Sequence, residues 1–297
     1  MEKRYQNLSL FEFQQTFKDE ESCMVHLAKI KWPEGYKCGK CDNTKYCKGK
    51  LAQSRQCTKC GYQETPTSGT LFHKIKFPLL KAFYIVYFMS TNKKGITSTE
   101  LSRKLALRQK TCWSFRKKVT RAMASSQKYP LTGSVEVDEM VIGQEEEGVR
   151  GRQNSKKKLV VVAIEKKAKG ISRMYAKVIK NASNKELGPF FKNHISPRAK
   201  VKTDGWSGYS PLKGDYPYLE QALSGKKGDN FTDMHRCIMM FKGWLRGMHH
   251  SVEYLQDYLD EYTYRFNRNF MDGAIFDNLL TRVVQHPPVP IKSTSID

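Results

Sequence analysis

Four of the eight cysteines fall into two C-x2-C pairs, Cys38-Gly39-Lys40-Cys41 and Cys57-Thr58-Lys59-Cys60, with fifteen residues between the pairs. A C-x2-C turn offers two thiolates to one ion at tetrahedral angles, and two such turns complete the shell of a four-thiolate zinc ribbon. Disulfides are the competing use of the same residues, but the opening Met1-Glu2-Lys3-Arg4-Tyr5-Gln6 lacks the apolar segment of a secretory signal. Gly39 and Gly61 stand where knuckle turns ask for permissive backbone. Cys47 lies between the pairs with no C-x2-C partner, and Cys23, Cys112 and Cys237 read as ordinary thiols in helices. A second chemistry rests on two carboxylates. Asp138 sits in the alternating segment Ser134–Glu139, on the same face as Glu136, and Asp204 closes the segment Ala199–Asp204. If those segments are neighbouring strands, the two aspartates meet at one edge of a sheet. Hard oxygen ligands so placed suit Mg²⁺. Two such ions about 3.5–4 Å apart activate an attacking oxygen and stabilise the leaving oxygen of a phosphodiester. Strand-end and turn carboxylates are also common where no metal binds.

The elements that must position these groups follow from periodicity. Ser134–Glu139, the apolar run Lys158–Glu165 and Ile171–Ile179 predict an antiparallel meander, the middle strand buried on both faces. The polar, glycine-containing stretch Gln144–Lys157 predicts a mobile loop. An amphipathic helix over Ser183–His194, the Asp204 strand, a short strand near Tyr218–Ala222 and helices over Asp233–Met248 and Ser251–Asn267 complete the order. That order belongs to a mixed α/β sheet with helices on both sides. Upstream, Leu8–Trp32 shows two short helical patterns expected to cap the ribbon. Phe77–Phe88 reads as a buried helix entered at Pro78. Thr97-Ser98-Thr99-Glu100 has capping-box spacing ahead of Leu101 and Leu105. After a turn near Leu107, Thr111–Met123 carries Arg116, Lys117, Lys118 and Arg121 among apolar residues. A short capped helix, a tight turn and a basic helix suggest a DNA-reading helix-turn-helix, although ordinary helix pairs can look the same.

Charge narrows the partner. The 297 residues hold 52 Lys or Arg against 29 Asp or Glu, a net +23 with pI near 9.6. A polyanion is the expected partner, nucleic acid before an anionic membrane surface. Between Lys37 and Thr120 nineteen bases face three acids (Asp42, Glu64 and Glu100), so about two thirds of the surplus lies there. A hydrophobic fraction of 39% excludes wholesale disorder, and no apolar run of membrane-spanning length occurs. Without a signal segment, a cytoplasmic protein is expected, nucleoid-associated when bound to DNA. Smaller features carry bland readings: Tyr254, Tyr258 and Tyr262 a packing stripe, His249-His250 a turn that contacts phosphate, Lys156–Lys158 a solvated run, Trp206 a residue that lines or supports the Asp204 site.

Taken together, these segments resemble the bacterial insertion-sequence transposases that join an N-terminal zinc ribbon to a DDE-type catalytic domain, a group related to the eukaryotic Merlin elements. The resemblance runs from about Trp32 to Asn269. It is carried by the ribbon, Thr67-Ser68-Gly69-Thr70-Leu71-Phe72, Lys94-Gly95-Ile96, Val135-Glu136-Val137-Asp138-Glu139 with Ile142-Gly143, and Thr203-Asp204-Gly205-Trp206-Ser207-Gly208-Tyr209. His235-Arg236, Tyr258–Tyr262 and Arg265-Phe266-Asn267-Arg268 complete it. The resemblance implies a leader over 1–36, a zinc ribbon over 37–64, a helix-turn-helix-like region over 65–130 and a ribonuclease-H-like catalytic domain over 131–297. It implies structural Zn²⁺ on the four cysteines and catalytic Mg²⁺ or Mn²⁺ on Asp138 and Asp204, with Lys242 as a further catalytic residue at the phosphate and the His235-Arg236 pair as DNA contacts. The implied activity is cleavage at the terminal inverted repeats, then attack of a 3′-hydroxyl on double-stranded target DNA, by a homodimer that synapses two ends. The third active-site position of this group, Glu or Asn five residues after the histidine, corresponds to Met240, whose soft thioether is a poor Mg²⁺ ligand. Three readings accommodate it: two aspartates and water suffice, a neighbour such as His235 or Glu139 substitutes, or the copy is a non-catalytic DNA-binding derivative. Met240 itself is expected to be a buried helical methionine. A zinc-ribbon interaction protein of transcription would account for the cysteines but not for the second half.

Overall fold

A computed structural model describes residues 8–143, 157–167, 170–223, 225, 230–248, 253–269, 271 and 274–289. The Gln144–Lys157 loop lies outside them except for Lys157, as do Lys156 and the His249-His250 pair. The chain forms two compact units, 1–123 with 271–297, and 124–270. No helix of the described residues is long and apolar enough to cross a membrane.

The first unit begins with α1 (Leu10–Thr16) and α2 (Glu20–Lys31), each entered through a reciprocal cap, Ser9 with Glu12 and Asp19 with Ser22. The ribbon sheet follows, β1 (Tyr46–Lys48), β2 (Arg55–Cys57) and β3 (Gln63–Glu64), all antiparallel. Next come α3 (Leu79–Thr91), α4 (Ser98–Leu105) and α5 (Gln109–Met123). Thr97 caps α4, accepting from the Glu100 backbone N–H at 3.1 Å, and Ala106 ends it in the left-handed region. The expected helix and turn are therefore present. A helix that the sequence reading missed, α9 (Ala274–Gln285), joins this unit and packs on α2, α3 and α5. The expectation of one domain over 131–297 is thus corrected at its C-terminal end. Phe276 of α9 meets Phe13 of α1 edge-on at 5.6 Å, and Phe13 also contacts Tyr84 and Tyr87 of α3. The leader is therefore only partly a cap on the ribbon. Its α1 belongs to this aromatic core, while Ala28 and Trp32 at the end of α2 pack with Tyr36, Cys38 and Cys57. Lys31 fixes that junction, pairing with Glu64 at 2.7 Å and donating to the carbonyls of Thr65 and Ser68.

The second unit is built on one five-stranded sheet. In chain order it holds β4 (Ser134–Ile142), β5 (Lys158–Lys167), β6 (Gly170–Ile179), α6 (Asn184–His194), β7 (Lys200–Thr203), a 3-10 helix (Ser207–Gly214), β8 (Leu219–Gln221), α7 (Thr232–Met248) and α8 (Leu255–Phe266). The spatial order is β6-β5-β4-β7-β8, with β4, β5 and β6 an antiparallel meander and β7 and β8 parallel additions beside β4. This is the ribonuclease-H-like arrangement. Alternation along the strands makes two cores. Val135, Val137, Val161 and Ala163 face α6 residues such as Phe190 and Phe191. Met140, Val160, Val162 and Ile164 face α7 and α8 through Phe241 and Leu259. β5 is buried on both faces, as its continuous apolar run predicts. The tyrosine stripe of α8 packs into the second core. The outer edge of β6 is not left open. Asn267 bonds both the N–H and the carbonyl of Met174, and Gln256 accepts from the Val178 N–H.

Candidate metal centres

The ribbon brings its four cysteines together. One sulfur from each of Cys38, Cys41, Cys57 and Cys60 lies within 4.8 Å of the others, and the Cys38–Cys60 and Cys41–Cys57 pairs are 3.6 Å apart. Tetrahedral zinc at about 2.3 Å from each sulfur would separate neighbouring sulfurs by ~3.8 Å, so the spacing fits that ion. The two knuckles are built alike. Asp42 N–H donates to the Cys38 carbonyl and Gly61 N–H to the Cys57 carbonyl, with φ of 56° and 69° at Asp42 and Gly61. The permissive positions are therefore Asp42 and Gly61. The expectation for Gly39 is corrected, since its φ is not positive. Packed this closely, the sulfurs bias one another's ionisation. Burial opposes a thiolate at Cys57, but the Cys60 and Lys59 N–H groups and Asn43 outweigh it and bring that thiol down to about 6. The Asn43 N–H favours a thiolate at Cys41, yet burial and the neighbouring sulfurs carry it up to about 12. Cys47 is exposed and outside the cluster, as expected, and Cys23, Cys112 and Cys237 are buried in α2, α5 and α7.

The two aspartates also meet. β4 and β7 are parallel neighbours with Val137 opposite Thr203, so Asp138 and Asp204 follow side by side. Oxygens of Asp138, Glu139 and Asp204 lie within 4.8 Å of one another, and all three residues are partly exposed. Backbone N–H groups orient the aspartates: Glu139 N–H donates to Asp138 Oδ1 at 2.7 Å, and Trp206 N–H to Asp204 Oδ1 at 3.1 Å. Trp206 thus supports the site through its backbone, while its indole N–H donates to the Ala182 carbonyl. The donor set is three hard carboxylates with access to solvent, which fits Mg²⁺ or Mn²⁺ rather than a thiophilic metal. Sequence reasoning alone gives Tyr209 no role. Its hydroxyl donates to Glu139 Oε1 at 2.7 Å from a fully buried ring. Burial first, and then the Glu139 charge, holds its ionisation well above the ordinary tyrosine range, so the hydroxyl stays a donor.

Helix α7 crosses beside this group. His235 Nε2 is 4.0 Å from Asp138 Oδ2, so that histidine stands next to the first aspartate. Arg236 is exposed and pairs with Asp233 at 2.9 Å. At about 100° per residue, Lys242 returns to within ~20° of His235, while Met240 is turned ~140° away. Met240 is 53% exposed and Met239 61%, which corrects the expectation of a buried methionine. The α7 end is clamped to the sheet by Lys166, which pairs with Glu136 at 2.8 Å and with Asp233 at 3.5 Å.

The basic helix α5 differs from its expected use. Arg116 is buried because it falls inside the helix's inward arc, four residues from both Cys112 and Thr120. Lys117 is buried too, its ammonium 4.6 Å from the Trp113 ring centre. Lys118 is half-buried, and of the four only Arg121 is exposed. Arg116 and Lys117 are therefore corrected as surface DNA contacts.

Residues 130–267 match the family described as the ISXO2-like transposase domain, and residues 18–63 match the transposase zinc-ribbon domain. Solved structures with some likeness include a pre-cleavage Mos1 transpososome, at 12% identity and TM-score 0.28 over 66% of this chain and 76% of that one. The Mos1 strand transfer complex gives 12% and 0.29 over 68% and 75%. No curated protein matches the chain.

Proposed function

The chain belongs to the insertion-sequence transposases that join a transposase zinc-ribbon domain to an ISXO2-like transposase domain, and from that premise we propose that it cuts and joins DNA at the ends of its own element. The observation that carries the reading is the convergence of Asp138, Glu139 and Asp204 at the end of β7, inside the matched transposase domain. Asp138 and Asp204 would hold Mg²⁺ or Mn²⁺, which in such sites activates the attacking oxygen and stabilises the leaving one. The protein's own groups do the rest. The Glu139 and Trp206 N–H groups fix the aspartates, and His235 stands beside Asp138 at 4.0 Å. Lys242, on the same side of α7, would neutralise phosphate charge.

Binding would be strongly salt-dependent, because the basic surplus concentrated between Lys37 and Thr120 releases counterions from DNA. Arg121 and the half-buried Lys118 remain the DNA contacts of α5. The ribbon would hold Zn²⁺ as a structural ion that keeps α2 and the ribbon sheet in register. A homodimer would bring together two terminal inverted repeats before joining them to double-stranded target DNA.

The test is Mg²⁺-dependent strand cleavage of the element's own terminal repeats. Asp138→Asn and Asp204→Asn should each abolish it without weakening DNA retention. Met240 favours a second reading, a non-catalytic DNA-binding protein. That reading would prevail if the wild type binds the repeats without cutting them, while Met240→Asn or Met240→Glu gains cleavage.

A further inference from the structure

We propose that Glu139 is the third carboxylate of the catalytic metal centre, supplied from β4 in place of a ligand on α7, and that Tyr209 is its positioning residue. This rests on the transposase reading above and concerns which side chains complete its site. Successive residues of a paired strand point to opposite faces, so Asp138 and Glu139 would normally be kept apart by the sheet. Here the neighbouring strand stops. β7 ends at Thr203, opposite Val137, while β4 continues to Ile142. Beyond that end the two side chains reach round the same edge from opposite faces, and their oxygens meet those of Asp204.

Glu139 is also held as a ligand carboxylate must be. Tyr209 grips one oxygen at 2.7 Å, and its ring is locked against Phe191 in the core on that face. An outer hydrogen bond of this kind fixes the orientation of a metal-binding carboxylate. The grip depends on Gly208, where a Cβ would come within 2.2 Å of the Ala182 carbonyl oxygen, so the chain carrying Tyr209 is drawn in where no side chain fits. The other candidates are placed less well. His235 reaches Asp138 at 4.0 Å but is not part of the group of three. Glu136 is buried and committed to Lys166. Met240 offers a soft sulfur on a different side of α7.

The experiment is Mn²⁺ binding to the full-length, zinc-loaded chain, followed by calorimetry and by the electron paramagnetic resonance of the ion. The wild type should bind Mn²⁺ and Asp138→Asn should lose it. Glu139→Gln should weaken affinity at least ~10-fold, and Tyr209→Phe by about 10-fold or more. Tyr209→Phe should add nothing in the Glu139→Gln background, which a merely structural tyrosine would not obey. Glu139→Asp should recover part of the affinity. Circular dichroism of each variant identifies loss by unfolding, and Tyr209→Phe then decides the matter, since it keeps the core ring. If Glu139→Gln and Tyr209→Phe bind as the wild type does while Asp138→Asn does not, Glu139 is not a ligand and the two-aspartate site stands. If the wild type takes up no Mn²⁺, the catalytic reading falls together with this one.

Discussion

Lys166→Met should loosen the attachment of α7 to the sheet, and the size of the effect can be worked from the contacts. Lys166 holds Glu136, which is 3% exposed and whose second oxygen has no hydrogen-bond partner. Removing the lysine strands a carboxylate in the second core. Breaking a buried pair from one side costs about 3–5 kcal/mol. The Lys166 side chain is 36% exposed, so water screens part of the charge and about 2–3 kcal/mol is the better figure. The same substitution releases Asp233, the other Lys166 partner, at the start of α7.

Hydrogen exchange of β4, β5 and α7 peptides reads this directly, without requiring the two compact units to unfold together. A loss of 2–3 kcal/mol corresponds to amides exchanging roughly 30–160 times faster where exchange reports the opening equilibrium. Glu136→Gln in the Lys166→Met background should restore much of the protection, because an amide in place of the carboxylate leaves no charge behind. The reasoning fails if Lys166→Met exchanges as slowly as the wild type. It also fails if the double variant is less protected than the single one, since the penalty would then not come from a stranded charge.

Other outcomes follow from single contacts. Cys38→Ser should lower bound zinc from one equivalent to near none by native mass spectrometry and weaken DNA retention; unchanged zinc would remove the ribbon site. His194 is buried beside Phe190 and Tyr175, which drives its protonation down to about 4 from an unfolded value near 6.5. The unfolded chain therefore takes up a proton that the folded one refuses as pH falls from about 7 towards 4, and stability should drop by about 2 kcal/mol between pH 7.5 and 5. The part due to this residue should vanish in His194→Gln, measured by urea unfolding at the two pH values. Gly208→Ala should destabilise the second unit by about 1–3 kcal/mol through overpacking against the Ala182 carbonyl, seen as a lower melting temperature. A variant melting with the wild type would show that the 3-10 helix can shift freely.

What was legible in the sequence divides by the range of the forces involved. The ribbon was readable because C-x2-C spacing and metal geometry impose each other locally. The meander was readable because strand alternation and the apolar run of β5 announce which faces are buried. The pairing of Asp138 with Asp204 followed once β4 and β7 were taken as neighbours. Long-range packing was not legible. Nothing near Ala274–Gln285 indicates that α9 packs with α2, α3 and α5, since an amphipathic helix records that it has a partner but not which one. The basic residues of α5 misled for a related reason. Charge at Arg116 suggests a surface, yet its angular position between Cys112 and Thr120 places it inside, and on a helix the angle decides.

In the sequence, Met240 stands where the resemblance places a third ligand on α7, and a buried helical setting is expected for it. The fold gives a different logic. A short strand beside a long one leaves the long strand with an open edge, and only at such an edge can adjacent residues, Asp138 and Glu139, act on one ion from opposite faces of the sheet. The helix is then released from ligand duty. Its contacts run instead through Asp233 to Lys166 and through His235 to Asp138, which hold it in place beside the carboxylates. An exposed methionine at position 240, turned ~140° from the His235 side of α7, is compatible with that role. Beyond the carboxylates themselves, the residues whose loss should matter most are therefore those that shape the β4 edge: Tyr209, which grips Glu139, and Gly208, which lets Tyr209 reach it.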